Sequence, residues 1–201
     1  MEHCEHNTEQ LIKEKAKCLF FIKGQIQATS QEISDFAGVN RTLVNYYFRS
    51  RNNLFATVFN EVKGELTENI KRVFLTKDTF QNKIRLFIET FHTYISKYPY
   101  IEIIFMNDIN KVGAPFAMPT FSPMVASEFT SFIQEIEVAM NEGIITKMCP
   151  INYMINMFSL VSYPIIMKPL FQTLLGVDDE KISQIMNDRR EMIYDLLILK
   201  K

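Results

Sequence analysis

Between Thr79 and Pro99 the residues Ile84, Phe87, Ile88, Phe91 and Ile95 recur at intervals of three and four, which sets them on one face of an α-helix. The same spacing returns in Ile12, Ala16, Leu19 and Phe20, in Phe129, Phe132, Ile133, Ile136 and Met140, and in Ile182, Ile185, Met186, Ile193, Leu196 and Leu197. A chain of 201 residues with only six glycines and seven prolines has few places to turn, so helices fit it better than a sandwich or barrel. Seventeen phenylalanines, eleven methionines and no tryptophan imply a soft, aromatic interior. An all-α fold is expected.

Capping and breaking residues set the boundaries. A first helix runs from about Thr8 to Lys23 and stops at Gly24, with the polar "MEHCEHNTEQ" before it read as a floppy tail. "TSQE", Thr29 to Glu32, is a capping-box pattern that opens a short helix to Ala37, where Gly38 breaks it. Asn40 caps a second short helix, Arg41 to Phe48, and Ser50 caps a longer one to about Thr76. Further helices start at Thr79, at Pro99 (to about Lys111), in the Phe129 segment (ending near Gly143), at about Ile151 and at about Asp178. A Pro-rich loop, Gly113 to Pro123, interrupts them. About nine helices result. They divide into an N-terminal three-helix domain, residues 1–55, and a larger helical domain, residues 56–201.

Several functional classes find no support. Cys4, Cys18 and Cys149 are odd in number and widely spaced, so there is no disulfide framework and a reducing, cytoplasmic setting is expected. His3, Cys4 and His6 have no second ligand pair at a usable spacing, and no metal is expected. Met148 to Met167 carries no charge over a membrane-spanning length, yet Asn152, Asn156, Ser159, Ser162, Pro150 and Pro164 load it with polar groups and breaks. It reads as a buried helix ended or kinked by Pro164, not as a transmembrane segment. No nucleophile motif, metal-ligand spacing or glycine-rich phosphate loop marks an enzyme, and no cofactor is implied.

The informative stretch is "GVNRTLVNYYFRSRNNLF", Gly38 to Phe55. In a chain of net charge −1, no Asp or Glu occurs between Asp35 and Glu61, while Arg41, Arg49 and Arg51 do. Such local asymmetry suits a surface that faces a polyanion, although a solvated face lacking acids would look the same. The two short helices joined by "AGVN" form a helix-turn-helix, whose second helix can enter the DNA major groove. On that helix Arg41, Thr42 and Asn45 fall within about 100° of one another. Val44 and Phe48, four residues apart, share the adjoining apolar side. Arg can pair bidentately with guanine and Asn with adenine, and Thr can contact a thymine methyl.

At these residues the chain resembles the TetR family of transcriptional repressors. The resemblance is carried by Leu19, Phe20, Gly24, Thr29, Ser30, Ile33, Ala37, Gly38, Val39, Asn40, Val44, Tyr47, Phe48, Ser50, Arg51 and Leu54, about the first quarter of the chain. It implies base contacts from Gln31, Arg41, Thr42 and Asn45, with Tyr46 reaching base or backbone. It implies phosphate contacts from Tyr47, Arg51 and the Thr29/Ser30 helix start. Arg49 reads as a solvated charge. Asn45 stands where the family usually has Tyr, so operator preference does not transfer. The resemblance further implies double-stranded operator DNA as partner, a small and largely apolar effector, and a homodimer through the last two helices. Charges at Ile193 or Leu197 should then split the dimer. An effector pocket is expected among Phe87, Phe91, His92, Phe105, Phe129, Phe132 and Met157, each of which is equally a core residue by default. The competing reading is a helical protein-interaction module without sequence-specific DNA binding.

Overall fold

A computed structural model describes residues 2–112 and 123–198, with side chains over 7–107 and 127–198. Among the described residues there are ten α-helices and no strand. They are α1 (Glu2–Lys17), α2 (Ser30–Ala37), α3 (Arg41–Phe48), α4 (Arg51–Leu75), α5 (Phe80–Lys97), α6 (Ile101–Val112), α7 (Pro123–Asn141), α8 (Pro150–Ile166), α9 (Lys168–Leu175) and α10 (Asp179–Leu197). The all-α expectation holds, with one helix more than expected. The Pro-rich loop lies, apart from Pro123, outside the described residues.

The chain separates into two compact units. One comprises Met1–Glu65 and Lys97–Ile101, the other Leu66–Ser96 and Glu102–Lys201. Helix α4 runs through the boundary without a break, because no glycine cap or proline interrupts its 25 residues.

In the first unit α1 begins at Glu2, so the segment read as a tail is helical. The helix then widens into a π-helical turn, Cys18–Ile22, that buries Leu19, Phe20 and Phe21 together. Gly24 ends it at φ 69°, and a Cβ there would sit 2.8 Å from the Tyr100 ring, so conformation and space both demand glycine. Phe20, Phe21, Phe55 and Phe59 form a ring cluster with centroids 5.1–6.3 Å apart. Ile12, Ala16, Ile33, Val44, Leu54 and Val58 complete the core without exposure. Each large side chain of this kind contributes about 1.5–3 kcal/mol on burial.

The second unit is built on stacked phenylalanines. Phe74 lies 4.2 Å from Phe132 and 5.3 Å from Phe129, and Phe158 meets Phe87 edge-on at 5.0 Å. Buried Lys83 closes the end of α4, donating to the Phe74 carbonyl at 2.9 Å and to both oxygens of Glu135. A cation at a helix C-terminus also satisfies the helix dipole.

Pro164 does not end its helix. Proline removes the donor that would bond the Leu160 carbonyl, and Arg189 Nη2 from α10 donates to that carbonyl instead, at 3.3 Å. The break comes three residues later at Met167, where α8 and α9 meet at 62°. This bend accounts for the extra helix. Among the described residues no single helix is long and apolar enough to cross a membrane.

Candidate nucleic-acid interface

Both helices of the helix-turn-helix are held by caps that the local sequence supplies. At α2 the Thr29 hydroxyl accepts from the Glu32 N–H at 3.2 Å, and the Glu32 carboxylate accepts from the Thr29 N–H at 2.7 Å and its hydroxyl at 2.8 Å. These bonds, led by the one from the Thr29 N–H, hold the Glu32 carboxyl below its ordinary pKa. Gly38 then turns the chain at φ 66° with no atom near its missing Cβ, so it is the left-handed conformation that requires glycine. Asn40 caps α3, its side-chain oxygen accepting from the Thr42 N–H at 2.8 Å and the Thr42 hydroxyl at 2.7 Å.

Helix α3 presents two faces. Val44 is fully buried and Phe48 nearly so, which fixes the helix against the unit's core. Arg41, Thr42, Asn45 and Tyr46 all face solvent, and Tyr46 is 69 % exposed. Its ring meets that of half-buried Tyr47 edge-on at 5.1 Å. Glu61, the first acid after the stretch, is drawn to α1, where Lys13 and Lys17 pair with it at 2.9 and 3.0 Å.

The other expected contact residues are placed less uniformly. The Thr29 hydroxyl is committed to the capping box, which leaves half-buried Ser30 and the following N–H groups at the helix start. Gln31 is exposed, with its amide donating to Asp35 at 2.8 Å. Arg51 turns inward: its Nε donates to the Ala28 carbonyl at 3.1 Å, and its guanidinium lies over the rings of Phe20 and Phe55.

The residues expected to line an effector pocket belong to the second unit. Phe87, Phe91, Phe132 and Met157 are buried, and Phe105, Phe129 and His92 are half-buried. Phe158, which periodicity alone did not single out, joins Phe87, Phe91 and Phe129. Burial, with the nearby Arg190 charge, lowers the His92 pKa, against a smaller opposing effect of Glu89. Among the described residues no cluster of three potential metal ligands occurs. On the last helix Ile193 and Leu197 are buried within the subunit, which corrects the expectation that a charge there would act only on an interface. On the last three helices the exposed large apolar residues are Ile151, Ile155 and Tyr163 on α8, Leu170, Leu174 and Leu175 on α9, and Met192 and Leu196 on α10.

No family profile matches this chain, and no curated protein matches it. Solved structures do. HlyIIR, a hemolysin II transcriptional regulator, aligns over 92 % of this chain and 97 % of its own at 23 % identity and a TM-score of 0.59. A fatty acid metabolism regulator assigned in Clostridium perfringens covers 94 % of this chain and 100 % of its own at 16 % identity, TM-score 0.58. A protein of Shewanella sp. PV-4 assigned to the TetR family of transcription regulators covers 96 % and 99 % at 14 % identity, TM-score 0.53. From its N-terminal helix-turn-helix to its last helix, this chain has a TetR-like fold.

Proposed function

We propose that the protein is a DNA-binding transcriptional regulator, a repressor that binds a palindromic operator as a homodimer and leaves it when a small, largely apolar effector binds. One observation carries this reading: α3 turns Arg41, Thr42, Asn45 and Tyr46 outward from a face that Val44 and Phe48 anchor. Arg41, Thr42 and Asn45 read base edges, joined by Gln31. Tyr46 reaches base or backbone. Tyr47, Ser30 and the N-terminus of α2 hold phosphates, since the first N–H groups of a helix point at an anion and its dipole favours one. The structural neighbours are transcription regulators, which supports a binding protein over an enzyme. A DNA-bound role also fits the cytoplasmic setting.

The exposed large apolar residues of α8 and α10 support the homodimer, because a partner helix pair would take them out of water. The effector enters the phenylalanine-rich interior of the second unit, where Phe105, Phe129 and His92 are half-buried and Phe87, Phe91, Phe132 and Met157 are buried. DNA binding is tested by a gel shift with the DNA upstream of the protein's own gene. The expected result is a retarded band that unlabelled copies of the same DNA remove and mixed-sequence DNA does not. A chain that leaves this DNA and mixed-sequence duplexes unshifted would instead be a helical protein-interaction module.

A further inference from the structure

The turn between α3 and α4 carries two arginines two residues apart, in opposite surroundings. Arg51 is the first residue of α4. Its Nε bonds the carbonyl of Ala28, the residue just before the Thr29 cap of α2. Its guanidinium carbon lies 4.9 Å from the Phe20 ring centre and 5.1 Å from that of Phe55, so aromatic faces of the π-helical turn after α1 and of α4 hold it. Its Nη2 is buried with no partner, and Nη1 reaches Asn52 Oδ1 at 3.4 Å. A phosphate contact needs the charged head in solvent. This head is planar, stacked and turned inward, a role that the compact ammonium of lysine does not fill.

Arg49 is the opposite case. It is the C-cap of α3 and adopts φ 63° and ψ −35°, a conformation that costs any residue with a Cβ about 1–3 kcal/mol. It is exposed, and none of the described acids pairs with its side chain. Beside it lies a groove of about 480 Å³ whose polar lining is Tyr47, Arg49, Asn53, Thr57 and Asn60. Asn53, Thr57 and Asn60 follow at i, i+4 and i+7, which puts them on one face of α4. The wall offers hydroxyls, amides and one guanidinium, with no carboxylate. A sugar-phosphate strand, with its single kind of charge and its many acceptors, fits such a wall.

We propose that Arg51 is a positioning latch that fixes the start of α2 against α4 and the turn that ends α1, and that Arg49 with the groove beside it is where this turn meets the DNA backbone. The Arg49 half rests on the DNA-binding reading above; the latch does not. The test uses the full chain as wild type, Arg49→Gln, Arg51→Lys and Arg51→Met, melted without DNA and titrated onto mixed-sequence duplex DNA across a salt series. Arg51→Lys should lower the melting temperature by several degrees and weaken binding by the same factor at every salt concentration, leaving the salt slope as in the wild type. Arg49→Gln should leave melting unchanged and flatten the slope by about 0.9 for each phosphate that Arg49 neutralises. An unchanged melting temperature for Arg51→Lys, or a flattened slope for Arg51→Met, would overturn the latch. A wild-type slope in Arg49→Gln would overturn the groove. If the wild type binds no duplex, the regulator reading fails and Arg49's role with it, while the melting of Arg51→Lys still decides the latch.

Discussion

Helix α3 and the phenylalanine stack of the second unit use aromatic side chains in opposite ways. On α3 the ring of Tyr46 stands in solvent, as do Arg41, Thr42 and Asn45, while buried Val44 and Phe48 hold the helix down. In the stack, Phe74, Phe87 and Phe132 face one another and leave almost no surface outside. The first arrangement gives little stability and keeps its chemistry available. The second gives stability and hides it. Substitutions in the two regions should therefore fall into separate classes, and the contrast can be broken wherever they do not.

The largest effect is expected in the stack. Phe132→Ala removes a fully buried ring and should cost about 3–5 kcal/mol in denaturant unfolding. Tyr46→Ala should change stability by less than about 0.5 kcal/mol, because its ring leaves water very little on folding. Equal costs at the two sites would erase the distinction.

Next comes a pH effect. Glu102 is buried, and that burial raises its pKa to about 7. The folded state then binds a proton more tightly than the unfolded chain. Its contribution is fully present below about pH 4.5, falls as pH rises through about 7, and is absent above that. Glu102→Gln should raise stability at pH 8 relative to pH 5 by on the order of 2–3 kcal/mol compared with the wild type. Parallel pH profiles of the two proteins would show that Glu102 is not desolvated.

Association gives the third comparison. Leu196 on α10 is 65 % exposed and Ile155 on α8 is 55 % exposed, so neither is needed for the subunit's own core. Leu196→Glu should weaken self-association by about 2 kcal/mol or more in sedimentation while the monomer melts as before. Ile193→Glu, on the same helix but buried, should unfold the subunit instead. If Leu196→Glu leaves self-association unchanged, the exposed residues of α8 and α10 are not the interface of the proposed homodimer.

What the sequence made legible follows from how local each cause is. Thr29 and Glu32, Gly38, and Asn40 with Thr42 act over two or three residues, and the helix-turn-helix they build was readable from them. Val44 and Phe48 announced the buried side of α3 by spacing alone. Arg51 was not readable in this way, because its orientation depends on Phe20 and on the Ala28 carbonyl, 23 residues earlier. Nor was the position of the break after Pro164, which a guanidinium from α10 defers to Met167. On the last helix the apolar stripe gave a period but not its facing: Leu196 and Leu197 are neighbours in sequence, and only packing makes one exposed and the other buried.

The most direct test of the central claim, that α3 reads DNA sequence, compares the wild type with Asn45→Ala. Both are titrated onto an operator duplex selected from random DNA and onto mixed-sequence duplex, across a salt series. The wild type should bind the selected duplex at least about 10³-fold more tightly. Asn45→Ala should lose about 1–3 kcal/mol per half-site on the selected duplex, little on mixed sequence, and keep the wild-type salt slope. Equal weakening on both duplexes, or a wild type that prefers neither, would contradict the claim that this face of α3 specifies sequence.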